Sequence, residues 1–157
     1  PGFECRHNLK YWSLSDYLGF GKSASSYIDG VRFTNATDEG YCKGVLMERD
    51  FLKTCGAKNL KNLGDAEFAN YKYSEFHVND FMDTVSEFVF LGLRRTAGIS
   101  FDEFEQLFGK RFADVYAGRR DEIEQFLESG DLIEDEKGLR LSERGFDISN
   151  KIMAIFV

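Results

Sequence analysis

The chain has 157 residues, of which 43% are hydrophobic and 15% aromatic, enough for one sizeable core or two small ones. Its 20 Lys and Arg against 27 Asp and Glu give a formal net charge of -7, which disfavours nucleic acid and anionic lipid as partners. Apolar runs such as residues 88–93 fall far short of the roughly 20 residues that span a bilayer, so we expect no transmembrane segment and a cytoplasmic protein.

The three cysteines, Cys5, Cys42 and Cys55, are odd in number and widely spaced. They form neither a disulfide framework nor a C-x-x-C metal clip, and a reducing compartment fits this pattern. The chain also starts at "PGFE" without a methionine, directly ahead of a motif-rich stretch. We expect it to be a piece of a longer protein.

The N-terminal part is predicted to be β-rich. An apolar run over residues 17–20, a glycine-rich stretch and a turn at Asp29-Gly30 predict two strands. Thr37 is predicted to cap a helix that runs to about Leu46, because two acidic residues follow it. Residues 49–78 have poor periodicity and are predicted to be a connector.

Beyond Asn79 the sequence predicts helices. Apolar residues recur at helical spacing from Phe81 to Leu93, with the end of this helix marked by Gly98. Ser100 and Glu103 form a capping box for a second helix. The predicted buried face of that second helix consists of Phe101, Phe104, Leu107 and Phe108.

A third helix is predicted from Phe112 to Ser129, with Gly130 as its C-cap. Two short strands, 132–134 and 139–141, follow and are joined through a turn in which Gly138 permits a positive φ. A final helix runs through residues 146–156. This order of three helices, a hairpin and a helix predicts a winged-helix-like arrangement, and the chain as a whole is predicted to be α+β.

A winged helix suggests DNA binding through the helix before the hairpin. That predicted helix, however, contains Arg119 and Arg120 against five acidic residues, and the hairpin tip is also acidic. We therefore favour a structural or partner-docking role and expect no nucleic acid.

The stretch "GFGKSASS" has the Gly-Lys-Ser ending of a phosphate-binding loop. The first glycine of that motif is missing, because position 16 is Asp16. Small residues after a strand more often permit the close approach of a backbone, a neighbouring helix or a ligand. Gly19 and Gly21 are therefore candidate positions for contact with a cofactor.

The stretch "RHNLKYW" permits two interpretations. In the first, His7 is a surface or satisfied imidazole, and Tyr11 and Trp12 belong to a core or its rim. In the second, His7 offers a neutral imidazole to a metal or haem iron, Asn8 hydrogen-bonds a polar substituent, and the aromatic rings stack on a planar ligand. The chemistry of the residues leaves both interpretations open.

Five separated motifs carry a family resemblance: "PGFECRHNLKYW", "YLGFGKSASSY", "GVRFTN", "EFVFLGLRRTAGIS" and "GLRLSERGFDISNKIMAIF". In this order they resemble the C-terminal part of oxygen-independent coproporphyrinogen III oxidase-like radical SAM proteins, the HemN/HemW family. The matches span nearly the whole chain, although residues 49–76 contribute little.

Within that family the pattern H-N-x-x-Y-W is similar to the haem-chaperone branch HemW, which is thought to bind haem and pass it to acceptor proteins. The resemblance implies that His7, with Asn8, Tyr11 and Trp12, contacts haem. Cys5 as a thiolate and Tyr11 as a phenolate remain alternative ligands of the haem iron.

The resemblance also implies a domain division. Residues 1–48 would be the C-terminal end of the radical SAM barrel, residues 49–78 a connector, and residues 79–157 a winged-helix-like accessory domain. The family's strand end commonly reads like G-x-G-A-G-A-H-S. This chain has Ser25 where that pattern has histidine, so any role of that histidine is absent here.

Radical SAM chemistry needs a C-x-x-x-C-x-x-C run for its iron-sulfur cluster, which this chain lacks. We therefore assign it no catalytic residue, and the cluster and S-adenosylmethionine belong to the parent protein only. The expected function is that of a haem chaperone, whose partners are haem or porphyrin, the missing N-terminal barrel and a haem-acceptor protein. The alternatives are a coproporphyrinogen III dehydrogenase and a non-enzymatic winged-helix interaction module.

Overall fold

The computed structural model describes residues 5–36 and 73–157, which form two compact units. The sheet unit comprises residues 15–36 and 73–80, and the helical unit comprises residues 5–14 and 81–157. The predicted mixture of helices and strands, the α+β class, is confirmed. The helix expected after Thr37, most of the connector, Cys42 and Cys55 lie outside the described residues.

The sheet unit contains an antiparallel three-stranded sheet of order β1-β2-β3, made of Ser25–Ile28, Val31–Asn35 and Tyr73–Val78. The predicted turn joins β1 to β2, where Asp29 and Gly30 have φ of 50° and 74°. Two left-handed residues match the twist of a tight hairpin. Residues 17–20 do not form a strand, since Tyr17 makes a single bridge to Tyr27.

The helical unit contains α-helices, short 3₁₀ turns and a second three-stranded sheet. Its helices are α1 (Arg6–Trp12), α2 (Phe81–Gly92), α3 (Phe101–Phe108), α4 (Phe112–Val115), α5 (Arg120–Glu128), α6 (Glu143–Asp147) and α7 (Ser149–Met153). Its strands are β4 (Ile99–Ser100), β5 (Leu132–Asp135) and β6 (Gly138–Leu141). The strand order is β4-β6-β5, with both pairs antiparallel.

One apolar core lies between these helices and strands. It includes the fully buried Val85, Phe104, Ile123, Leu139 and Phe156. The capping box is confirmed in part, because Ser100 Oγ accepts from the amide of Glu103 at 3.3 Å. Gly109 ends α3 in the left-handed conformation. None of the helices in the described ranges has both the length and the apolar character needed to cross a membrane.

Two predicted helices are each broken. The expected helix over 112–129 is α4, a 3₁₀ turn over Ala117–Arg119 and α5, because the backbone of Tyr116 leaves the helical region and Gly118 weakens a helix interior. The expected final helix divides at Ile148, whose φ of -113° interrupts it. The helix that follows Asn79 ends at Gly92 instead of running to Gly98, and residues 93–97 form a turn that leads to β4 at Ile99.

One prediction of side-chain burial is also wrong, and two further residues differ from what their sequence pattern indicates. Leu107 is 61% exposed, because it lies at the edge of the stripe that α3 turns towards the core. Phe81 is 42% exposed at the first position of α2. The φ of Gly138 is not positive. Glycine is required at this position because a Cβ would overlap the carbonyl oxygen of Ile99 on the paired strand β4.

Candidate functional site

The residues of "RHNLKYW" form α1, a helix of seven residues that packs against α2. Cys5 occupies the N-cap position with an extended backbone, and its exposed side chain makes no capping hydrogen bond. The helix ends at Ser13, whose Oγ donates to the carbonyl of Lys10 at 3.1 Å. Sequence reasoning did not predict this helix, because it has neither a capping side chain nor a buried stripe.

His7 and Tyr11 lie one turn apart on α1 and contact each other. The hydroxyl of Tyr11 is 3.2 Å from Nε2 of His7, and the two rings meet edge to face with centroids 5.0 Å apart. Helix geometry places residues i and i+4 on one face, which is why this spacing brings them together. His7 is exposed and Tyr11 is half-buried.

Asn8 and Trp12 form the adjacent i, i+4 pair on the same helix. Asn8 is exposed and Trp12 is half-buried. The structure thus brings four of the predicted site residues onto one short helix, with an imidazole and an amide facing solvent beside two aromatic rings. This arrangement can offer a ligand nitrogen, a hydrogen bond and an apolar edge to a flat molecule.

Gly19 and Gly21 lie in the sheet unit, in a turn that is held by a buried asparagine. Asn35 is 2% exposed, and its Nδ2 donates to the carbonyls of Gly19 at 3.1 Å and Gly21 at 3.0 Å. The amide of Gly19 donates to the buried Ser26 Oγ at 3.0 Å. Sequence reasoning missed Asn35, although a polar residue at an inward position of a strand is the signal that could have found it.

The backbone geometry of this turn explains why positions 19 and 21 are glycine. A Cβ at Gly19 would overlap the carbonyl oxygen of Ser25, and Gly21 has a φ of 107°. Gly19 therefore permits a close approach of backbone to backbone, and Gly21 permits a left-handed turn. A contact of either residue with a cofactor stays a prediction.

The donor set of α1 suits haem better than a free metal ion. In the part of the chain that the structure describes, no three His, Cys, Asp or Glu side chains are grouped so as to hold a metal ion. Haem iron needs only one or two axial ligands, since the porphyrin supplies the other four. A single exposed imidazole next to aromatic rings meets that requirement.

Comparisons with known proteins show which family the chain resembles. Residues 82–148 match the family described as the HemN C-terminal domain. The chain is 27% identical to "Heme chaperone HemW" of Lactococcus lactis subsp. lactis, over all of this chain and 35% of that protein. It is 26% identical to "Heme chaperone HemW" of Bacillus subtilis, over 99% of this chain and 35% of that protein.

A solved structure is also similar. It is the coproporphyrinogen III oxidase HemN from Escherichia coli, described as a radical SAM enzyme. The two structures superpose with a TM-score of 0.64 and 20% sequence identity, over 90% of this chain and 28% of the HemN chain. The chain is similar to the C-terminal part of HemW and HemN proteins. The family resemblance recognised in the sequence is thereby confirmed, whereas the likeness to HemN shows the fold alone.

The chain spans about a third of the length of these HemW relatives. Those names describe proteins that are much longer. The activity, substrates and partners of the whole HemW or HemN protein are therefore only proposed for this chain.

Proposed function

We propose that this chain is the C-terminal part of a cytoplasmic radical SAM-type protein of the HemW branch, which binds haem and delivers it to an acceptor protein. The observation that carries the proposal is the exposed imidazole of His7, set on α1 beside Tyr11 and Trp12. The names of the relatives that cover the whole chain support the same cargo.

In this proposal each residue of α1 has a separate role. His7 offers Nε2 to the haem iron, which requires the hydroxyl of Tyr11 to turn aside. The Asn8 amide hydrogen-bonds a polar substituent of the porphyrin, and Trp12 packs its ring against the macrocycle. Because His7 is exposed, it can approach and leave the iron without opening the core, as transfer to an acceptor requires.

A haem titration of the complete gene product tests this proposal. We expect His7→Ala to abolish or shift the Soret band, whereas Cys5→Ala leaves it unchanged. His77→Ala is the matched control, since His77 is an exposed histidine on β3 of the sheet unit. Equal spectra for the wild type, His7→Ala and His77→Ala would overturn the assignment of His7, and loss with Cys5→Ala would assign the thiolate instead.

The likeness of the fold to HemN favours a second candidate, a coproporphyrinogen III oxidase. In that case the S-adenosylmethionine and iron-sulfur cluster of the parent protein would perform the chemistry, and the described part of this chain would shape the porphyrin site. Anaerobic assay of the complete gene product with coproporphyrinogen III separates the candidates. Decarboxylation of a propionate would favour the oxidase, and haem binding without decarboxylation would favour the chaperone.

A further inference from the structure

A cavity of about 420 Å³ lies in the helical unit, where β4, β6 and the loop after α2 meet. Its size falls within the range of pockets that bind small molecules, roughly 300–1,000 Å³. Three basic side chains line it, together with two acidic ones: Arg95, Lys137, Arg140, Glu103 and Asp135. Such a concentration of basic residues is unexpected in a chain of net charge -7.

The carboxylate of Asp135 accepts hydrogen bonds from residues of its own hairpin. Its Oδ1 accepts from the amides of Lys137 at 2.9 Å and Gly138 at 3.1 Å, and its Oδ2 accepts from Arg140 Nη1 at 3.1 Å. The pKa of this carboxyl is lowered most by the hydrogen bond from the amide of Lys137. The amide of Gly138 and the guanidinium of Arg140 lower it further. Asp135 therefore stays ionised and balances the charge of Arg140.

Arg95 and Lys137 differ from Arg140, the third basic residue that lines the cavity and the one that pairs with Asp135. Within the described ranges neither side chain makes a hydrogen bond or an ion pair. Four arginines elsewhere in this unit each pair with a carboxylate: Arg111, Arg119, Arg120 and Arg144. The cavity thus holds two uncompensated positive charges against the single carboxylate of Glu103.

We propose that this cavity binds an anion with a carboxylate or phosphate group, which Arg95 and Lys137 hold. A guanidinium presents two parallel N–H donors that match either group, and an ammonium adds a point charge. Glu103 opposes the anion from the rim and keeps its binding weak. The proposal is independent of haem binding by α1.

The test is a calorimetric titration of the complete chain with inorganic phosphate and, separately, with citrate, at constant ionic strength. We expect saturable binding that Arg95→Gln and Lys137→Gln each weaken about tenfold, the effect of a hydrogen bond to a charged group. Glu103→Gln should tighten binding severalfold. Preference for phosphate or for citrate identifies the group that the cavity takes.

Arg94→Gln is the matched control. Arg94 is the exposed neighbour of Arg95, lies over the ring of Phe90 and does not line the cavity, so the substitution removes the same charge from a different place. We expect it to leave the affinity unchanged. No saturable binding of either anion, or an equal loss with Arg94→Gln and Arg95→Gln, would overturn the proposal. Lys137→Gln, at an exposed side chain, keeps the test valid if Arg95→Gln misfolds.

Discussion

The hydroxyl of Tyr11 lies 3.2 Å from Nε2 of His7, one helical turn away on α1. The same nitrogen is the one that we propose for the haem iron, so the hydrogen bond between the phenol and this nitrogen must break before the iron can bind there. On this proposal, Tyr11 regulates haem affinity in addition to contacting the ring of His7. It also yields a prediction with a definite sign.

Tyr11→Phe should tighten haem binding. It removes the hydroxyl but keeps the ring that packs on His7, so the iron no longer has to displace a hydrogen bond. Such a bond contributes roughly 1 kcal/mol, which corresponds to an affinity gain of up to about fivefold. A haem titration followed at the Soret band measures this change.

The control is Tyr17→Phe, since Tyr17 lies in the sheet unit and its hydroxyl accepts from Arg32 Nη1 at 3.1 Å. It should leave haem affinity unchanged. Weaker binding by Tyr11→Phe would contradict the prediction and show that the phenol orients the imidazole or ligates iron itself.

Gly138→Ala should destabilise the helical unit, because the new Cβ would overlap the carbonyl oxygen of Ile99 and force β4 and β6 apart. Overpacking of this kind costs about 1–3 kcal/mol in the free energy of unfolding. Denaturant titration measures it. Gly118→Ala is the matched control: a Cβ there meets open space, and we expect a change of at most about 1 kcal/mol, towards greater stability.

Gly138 illustrates how far the sequence predicts the fold. The hairpin that contains it was predicted correctly, because the change from helical to alternating periodicity is a local signal, but Gly138 is the first residue of β6 instead of part of the turn. The reason for glycine was wrong, because the pairing of β4 with β6 joins residues about 40 positions apart and has no local signal. The break at Tyr116 was missed for the same reason, since that side chain is fixed by Phe156.

The candidate site was predicted less completely than the fold. The family resemblance implied His7, Asn8, Tyr11 and Trp12 as candidates, but not the helix that joins them. Spacing alone did not decide whether the imidazole of His7 has a hydrogen-bond partner or is available to a ligand. The structure shows an exposed ring whose Nε2 lies within hydrogen-bond distance of the Tyr11 hydroxyl. Asn35 was missed because its two acceptors lie 14 and 16 residues away in the chain.

Asn35→Ala should loosen the glycine-rich turn of the sheet unit. It removes the Nδ2 donor that both Gly19 and Gly21 carbonyls share, and partly buried acceptors without a partner cost about 1–3 kcal/mol. Thermal unfolding measures the loss, and amide exchange should rise at residues 19–24. Thr34→Val, on the neighbouring position of β2, should change stability by less than about 0.5 kcal/mol. Unchanged exchange in Asn35→Ala would contradict the role of Asn35.

Asp131 should make the helical unit sensitive to acid. Its buried carboxylate accepts from Arg144 Nε at 2.6 Å through Oδ1 and from Ser129 Oγ at 2.6 Å through Oδ2. The hydrogen bond from Arg144, followed by that from Ser129, lowers the pKa of Asp131. The ionised form is therefore favoured by folding, and its contribution to stability is complete above about pH 4, the ordinary pKa of an aspartate, and is lost as the pH falls through the lowered pKa.

Asp131→Asn should accordingly be less stable than the wild type at neutral pH, with a difference that shrinks below about pH 4. Denaturant unfolding of both proteins across the acidic range measures it. Asp147→Asn controls for the removal of one charge, because Asp147 is exposed and makes no ion pair within the described residues. A difference between wild type and Asp131→Asn that persists undiminished to about pH 2 would contradict the prediction, because Arg144 would then be stabilising the fold without the charge of its partner.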